Sequence, residues 1–115
     1  MGARGEATIP VSGRDVRVLL TNRAIMAVED ERDKAILDIV QADQARMRFG
    51  DVEALLRHGM QAANREDGVG GRVTRQESMD IMDTAGFMTV AEAVITAAAD
   101  VLAYEPDDRS DPGNA

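Results

Sequence analysis

Cysteine is absent and His58 is the lone histidine, which excludes disulfide staples, thiolate metal sites and histidine-rich ligand sets. Tryptophan is also missing, and Phe49, Phe87 and Tyr104 are the whole aromatic complement. Leu, Ile, Val, Met and Ala must therefore supply nearly all burial; alanine forms helices well but covers little area per residue. A partner or a second copy would matter to the stability of such a small core. No apolar run approaches the roughly 20 residues that span a bilayer. The opening MGARGEATIP has no signal-peptide core, and Glu6 stands where an acylation motif after Gly2 needs Ser or Thr. A soluble cytoplasmic protein with no membrane partner is the expectation.

Positive charge is in short supply as well. Thirteen Lys and Arg face 21 Asp and Glu, for a formal charge of −8. An acidic chain suits a basic protein partner and is a poor default ligand for a phosphate backbone, so no nucleic-acid partner is expected. Arg14, Arg17, Arg23 and Arg32 are read as solvated or ion-paired surface groups.

What is present is a short extended segment followed by helices. Ala7–Val11 and Val16–Leu20 form two candidate strands around the reversal Ser12-Gly13-Arg14-Asp15, with Val16, Val18 and Leu20 on one face. Pro10 lacks an amide donor, which predicts an exposed edge or an irregularity in the first strand. Thr21 fits a helix cap, and Leu20 with Ile25 has the spacing of a hydrophobic staple. Ala24, Ile25 and Val28 make a narrow stripe before the charged run Glu29–Lys34, which predicts a helix break near Asp33, ahead of Ile36, Leu37 and Val40.

Phe49-Gly50-Asp51 opens the next helix, with Gly50 or Asp51 as cap and Asp51 and Glu53 complementing the helix dipole. Val52, Leu55, Leu56, Met60 and Ala63 recur at helical spacing; Gly59 interrupts them, as close backbone packing requires. A glycine-rich loop is expected over 64–71. Thr74 to Glu77 has the pattern of a capping box, and Gly86 that of a left-handed terminator. Thr89 to Glu92 repeats the box ahead of the stripe Val90, Ala93, Val94, Ala97, Ala98, Val101 and Leu102. The fold class is therefore α+β, an N-terminal β-hairpin packed on a bundle of about four or five short α-helices. Residues 1–105 form a single domain, and 106–115 an acidic flexible tail.

No reaction centre is recognisable, so neither an enzyme nor a cofactor or metal is expected. His58 lacks companions at metal or catalytic spacing and is read as a surface or helix-packing residue. Asp80 with Asp83, and Glu29 with Asp33, share helix edges where solvated carboxylates are common. Asp107, Asp108 and Asp111 lack the alternating ligands of a calcium loop. Gly68-Val69-Gly70-Gly71 lacks the lysine of a phosphate loop. Met79, Met82 and Met88 carry two readings: core filling, or an adaptable peptide groove.

The order of IPVSGRDVRVLLTNRAIMAVEDE, FGDVEALLRHGMQAA, VTRQESMDIMDTAG and MTVAEAVITAAADVLAY resembles small tail-assembly proteins of tailed phages and gene transfer agents. The family is the one described as gene-transfer-agent tail tube or tail assembly chaperone proteins, and the likeness runs from about Glu6 to Tyr104. It implies a nonenzymatic morphogenesis factor that shields the tape-measure protein, with other tail proteins or a second copy as further partners. Ile25, Val28, Met79 and Met82 are then the candidate partner contacts. The alternatives are a structural tail component, or a small regulatory or antitoxin-like binding module.

Overall fold

A computed structural model describes residues 5–70 and 72–105. The expected hairpin on helices is present. Strands β1 (Glu6–Val11) and β2 (Arg14–Leu19) pair antiparallel, and five α-helices follow: α1 (Asn22–Arg32), α2 (Ile36–Val40), α3 (Phe49–Glu66), α4 (Arg75–Ala85) and α5 (Phe87–Ala103). A single 3-10 turn at Gln44–Arg46 links α2 to α3. The acidic tail 106–115 lies outside the described residues.

The hairpin closes through Ser12 and Gly13 alone, both at positive φ (49° and 82°), the handedness that matches strand twist. Its register sets Val11 opposite Arg14 and Pro10 opposite Asp15. In a two-residue hairpin the pair flanking the turn is hydrogen-bonded, so Pro10 falls in the next, non-bonded pair. Its missing N–H points outward, where the ladder does not need it. Ile9, Val16, Val18 and Leu20 turn inward and are buried.

Helix α3 is the axis of the molecule. Asp51 to Leu56 are six consecutive buried residues, so the early turns of α3 are covered on all sides rather than along one stripe. α1 and β2 pack on it, as do α4 and α5. A Cβ on Gly59 would stand well inside van der Waals contact of Val18 Cγ1 and 3.2 Å from Leu20 Cδ2. Bare backbone at that position lets β2 lie directly on the helix.

Helix ends mostly follow local chemistry. Thr21 Oγ1 accepts from Ala24 N (3.0 Å), and Asp33 in the left-handed region (φ 52°, ψ 52°) ends α1, the expected break. Thr74 and Glu77 form the full capping box of α4 (3.1 and 2.7 Å). Four expectations need correction. Arg48, without a side-chain hydrogen bond, occupies the cap of α3, because Asp51 is drawn into a buried ion pair; α3 also runs on to Glu66, shortening the expected loop. Gly86 ends α4 at φ 97°, ψ 138°, outside the left-handed well, because α5 begins at the very next residue, 114° away. Thr89 consequently sits inside the first turn of α5 and caps nothing.

The packing at Gly59 gives a direct test. Gly59→Ala should destabilise the fold by about 2 kcal/mol, the usual cost of forcing a methyl into a filled core, despite the better helix propensity of alanine. The urea midpoint reads the change; a midpoint at or above that of the parent would show that β2 does not rest on this backbone.

Candidate functional site

Three elements meet at the start of α3. Phe49 is its first residue and Phe87 the first residue of α5, and the sharp turn at Gly86 brings their rings together, stacked at 3.9 Å between centroids and 16° between planes. α4 forms the opposite wall. Between them lies a groove of about 610 Å3, lined by Phe49, Gly50, Glu53, Arg75, Gln76, Met79, Met82, Asp83, Gly86 and Phe87. Phe49 is 65% and Met79 39% exposed, a large apolar surface for the first turn of one helix and the middle of another. Met82 forms the floor, mostly buried.

The groove walls are held by buried ions. Glu53, 4% exposed, accepts two hydrogen bonds from Arg57 (2.6 and 2.9 Å) and one from the Ser78 hydroxyl. Ser78 lies fully buried in α4, so this bond fixes α4 against α3. Burial pushes the Glu53 carboxyl up, but Arg57 and Ser78 outweigh it and hold the group below the usual range. Arg57 reaches on to Glu31, which also contacts His58 Nε2 at 2.8 Å. Arg57 first, opposed in part by burial and aided by His58, lowers the Glu31 carboxyl to about 2.

On the other side of α3, Asp51 is equally buried and takes Arg32 Nε at 2.9 Å and Lys34 Nζ at 2.7 Å. Burial alone would raise its carboxyl; the two cations bring it below the ordinary value. Next to it is a polar hollow of about 700 Å3, lined by Lys34, Asp38, Gln41, Ala42, Ala45, Arg46, Met47, Arg48 and Asp51. Among the described residues no group of three or more acidic or histidine side chains is arranged to hold a metal ion. Among the described residues no single helix is long and apolar enough to cross a membrane.

The four candidate contacts from the sequence divide sharply. Val28 is fully buried and Ile25 nearly so, both in the core shared with α3, so neither offers a surface to a partner. Met82 belongs to the groove floor, and Met79 to its accessible wall. Met88 faces a separate, smaller hollow beside Met47 and Ile95. The aromatic pair was missed, although both phenylalanines of the chain open helices, a placement that leaves a ring at a helix end. Glu53 followed by Arg57 at four-residue spacing signalled a helix ion pair, but nothing local marked it as buried.

Comparison of the chain with protein-family models, curated proteins and solved structures finds no match in any of the three.

The lowered carboxyls make stability pH-dependent. A native Glu31 near 2 against an ordinary 4.5 means the unfolded chain binds more protons across that window. The contribution is complete above about pH 5 and is lost as pH falls toward about 2; Asp51 and Glu53 act in the same direction. Urea midpoints should therefore drop steadily from about pH 5 to about pH 3, and Glu31→Gln should flatten that slope. Equal slopes in the two proteins would remove Glu31 from the linkage.

Proposed function

We propose that this chain is a nonenzymatic factor of phage-type tail morphogenesis, an assembly chaperone acting in the cytoplasm of the bacterial or infected cell. Its groove would hold an amphipathic segment of the tape-measure protein until the tail tube closes around it. The observation that carries the reading is the Phe49–Phe87 stack beside Met79: aromatic and thioether surface left open at one concave place on an acidic molecule. Such a surface suits reversible capture. Aromatic rings supply large contact area at low entropic cost, and an unbranched methionine adapts to more than one sequence. The order of hairpin and helix segments, resembling tail-assembly proteins along most of the chain, supplies the partner.

The test is affinity capture of an expressed tape-measure fragment by the full chain. Phe49→Ala and Met79→Ala should each weaken capture by more than about tenfold, the scale of an interface hot spot. Met79→Ala should leave the unfolding free energy, read from urea titration, within about 0.5 kcal/mol of the parent, as for surface changes generally. A chaperone should also be missing from purified tails, whereas stable incorporation would favour a structural part. Undiminished capture by both variants, or none by the parent, would end the groove reading.

A further inference from the structure

The side chains that α4 presents to the groove form a self-complementary row. Arg75, Gln76, Met79, Met82 and Asp83 follow one another at the spacing of a single helix face. Arg75 opens α4 and Asp83 stands in its last turn. That polarity runs against the helix dipole, which favours an acid at the start and a base at the end. Neither charge is well compensated among the described residues. The Arg75 side chain is 62% exposed, and its one ionic contact is Nε at 3.7 Å from Glu53, a carboxylate that Arg57 and Ser78 already satisfy. Asp83 is exposed and makes no hydrogen bond or ion pair among the described residues, whereas Asp80 accepts one from Gln76 Nε2 at 2.8 Å. Met79 lies midway between the two charges.

We propose that in the unpartnered protein this face closes on a second copy of the same chain, α4 crossing its counterpart antiparallel about Met79. The inference rests on the groove reading above for what later displaces the second copy, and adds what covers the groove before capture. A twofold axis at Met79 sets Arg75 of each copy at the level of Asp83 of the other, so both unmet charges are met at once. Residues 75, 79 and 83 form one ridge of four-residue steps, and two such ridges align when helices cross at about 50°, the commonest packing angle. The groove runs beside α4, so the ridge of each copy enters the groove of the other, against the exposed Phe49 ring. Such a contact is isologous and closed: it uses each groove once and stops at two chains. The ten lining residues are fewer than the roughly 20–30 a side of a durable interface, and the formal charge of −8 on each copy opposes approach. The pair is accordingly weak and exchanges, as a groove kept for another helix requires. Its cross-contacts persist because charges beyond about 8 Å are largely screened at physiological salt, leaving the nearest ones to decide.

Sedimentation of the full chain over about a hundredfold range of concentration reads the pair. The parent should pass from one chain to two and no further. Arg75→Glu and Asp83→Arg each turn two attractions into two repulsions, and each should weaken self-association by more than about tenfold. Both changes give the charge order that the helix dipole favours, so a melting curve recorded alongside should show both variants folded. Mixed in equal amounts, the two variants should pair with each other, because each then carries the charge the other lacks; damage to the fold would not be repaired by mixing. Should Arg75→Glu fail to fold, Asp83→Arg alone decides: self-association undiminished in it overturns the proposed contact. A parent that stays single at every concentration, or a mixture of folded variants no more associated than its components, overturns the second-copy reading and leaves the groove open for capture. A tape-measure fragment that binds should dissociate the parent pair, and one carried by the intact pair overturns the sharing of one groove. A fragment bound by neither the parent nor Asp83→Arg overturns the capture reading while the pairing stands.

Discussion

Two buried carboxylates, two residues apart on α3, hold the rest of the molecule in place. Positions i and i+2 of an α-helix point roughly 200° apart. Asp51 therefore faces α1 and the link to α2, where Arg32 and Lys34 meet it, while Glu53 faces α4 and takes Ser78. A carboxylate removed from water must be matched by cations and donors, and breaking one side of such a pair costs about 3–5 kcal/mol. That is a large share of the roughly 5–15 kcal/mol by which a domain is stable. Each acid fixes which neighbours lie against the first two turns of α3, and in what register. Further along the helix, where Gly59 meets β2, simple contact suffices.

The groove follows from what that anchoring leaves over. α4 is clamped through Ser78 and closed at its start by the Thr74–Glu77 box, so its direction is settled. α5 begins one residue after α4 ends and turns away by 114° to cover the hairpin and α3 with Val90, Val94, Ala97 and Ala98. Those small side chains allow close approach. Both phenylalanines stand at helix starts, where they stack on each other, Phe87 also packing against the edge of the core. An aromatic side chain offers about 150–250 Å2 for burial. Much of that area stays open on Phe49 at this one site.

Local signals carried most of the architecture. The two-residue alternation around Ser12-Gly13, the Thr21 and Thr74 caps, the break at Asp33 and the interruption at Gly59 each depend on neighbours within a few positions, and each is found in the fold. What stayed hidden depends on residues far apart in the chain. Asp51 looked like a helix cap because its partners, Arg32 and Lys34, lie 19 and 17 positions away. Thr89 looked like a cap because nothing local shows that Gly86 begins the next helix at once. Ile25 and Val28 looked available because a narrow apolar stripe is the same in sequence whether another helix, here α3, or a ligand covers it. Of the groove, Met79 and Met82 were legible as an adaptable pair; the two rings come together only through the turn at Gly86.

The placement of charge bears on how much apolar surface such a chain can leave open. Apolar surface sufficient to catch a partner also invites self-association, and an acidic exterior opposes that because every copy repels every other. Asp51 and Glu53 lie inside the protein, each compensated by cations, and Asp83 is the exposed acid of the groove lining. Arg32 satisfies Asp51 with Nε alone, and its outer nitrogens lie over Gly50. The buried acid thereby sets where the rest of that guanidinium lies, and leaves room there for nothing larger than glycine.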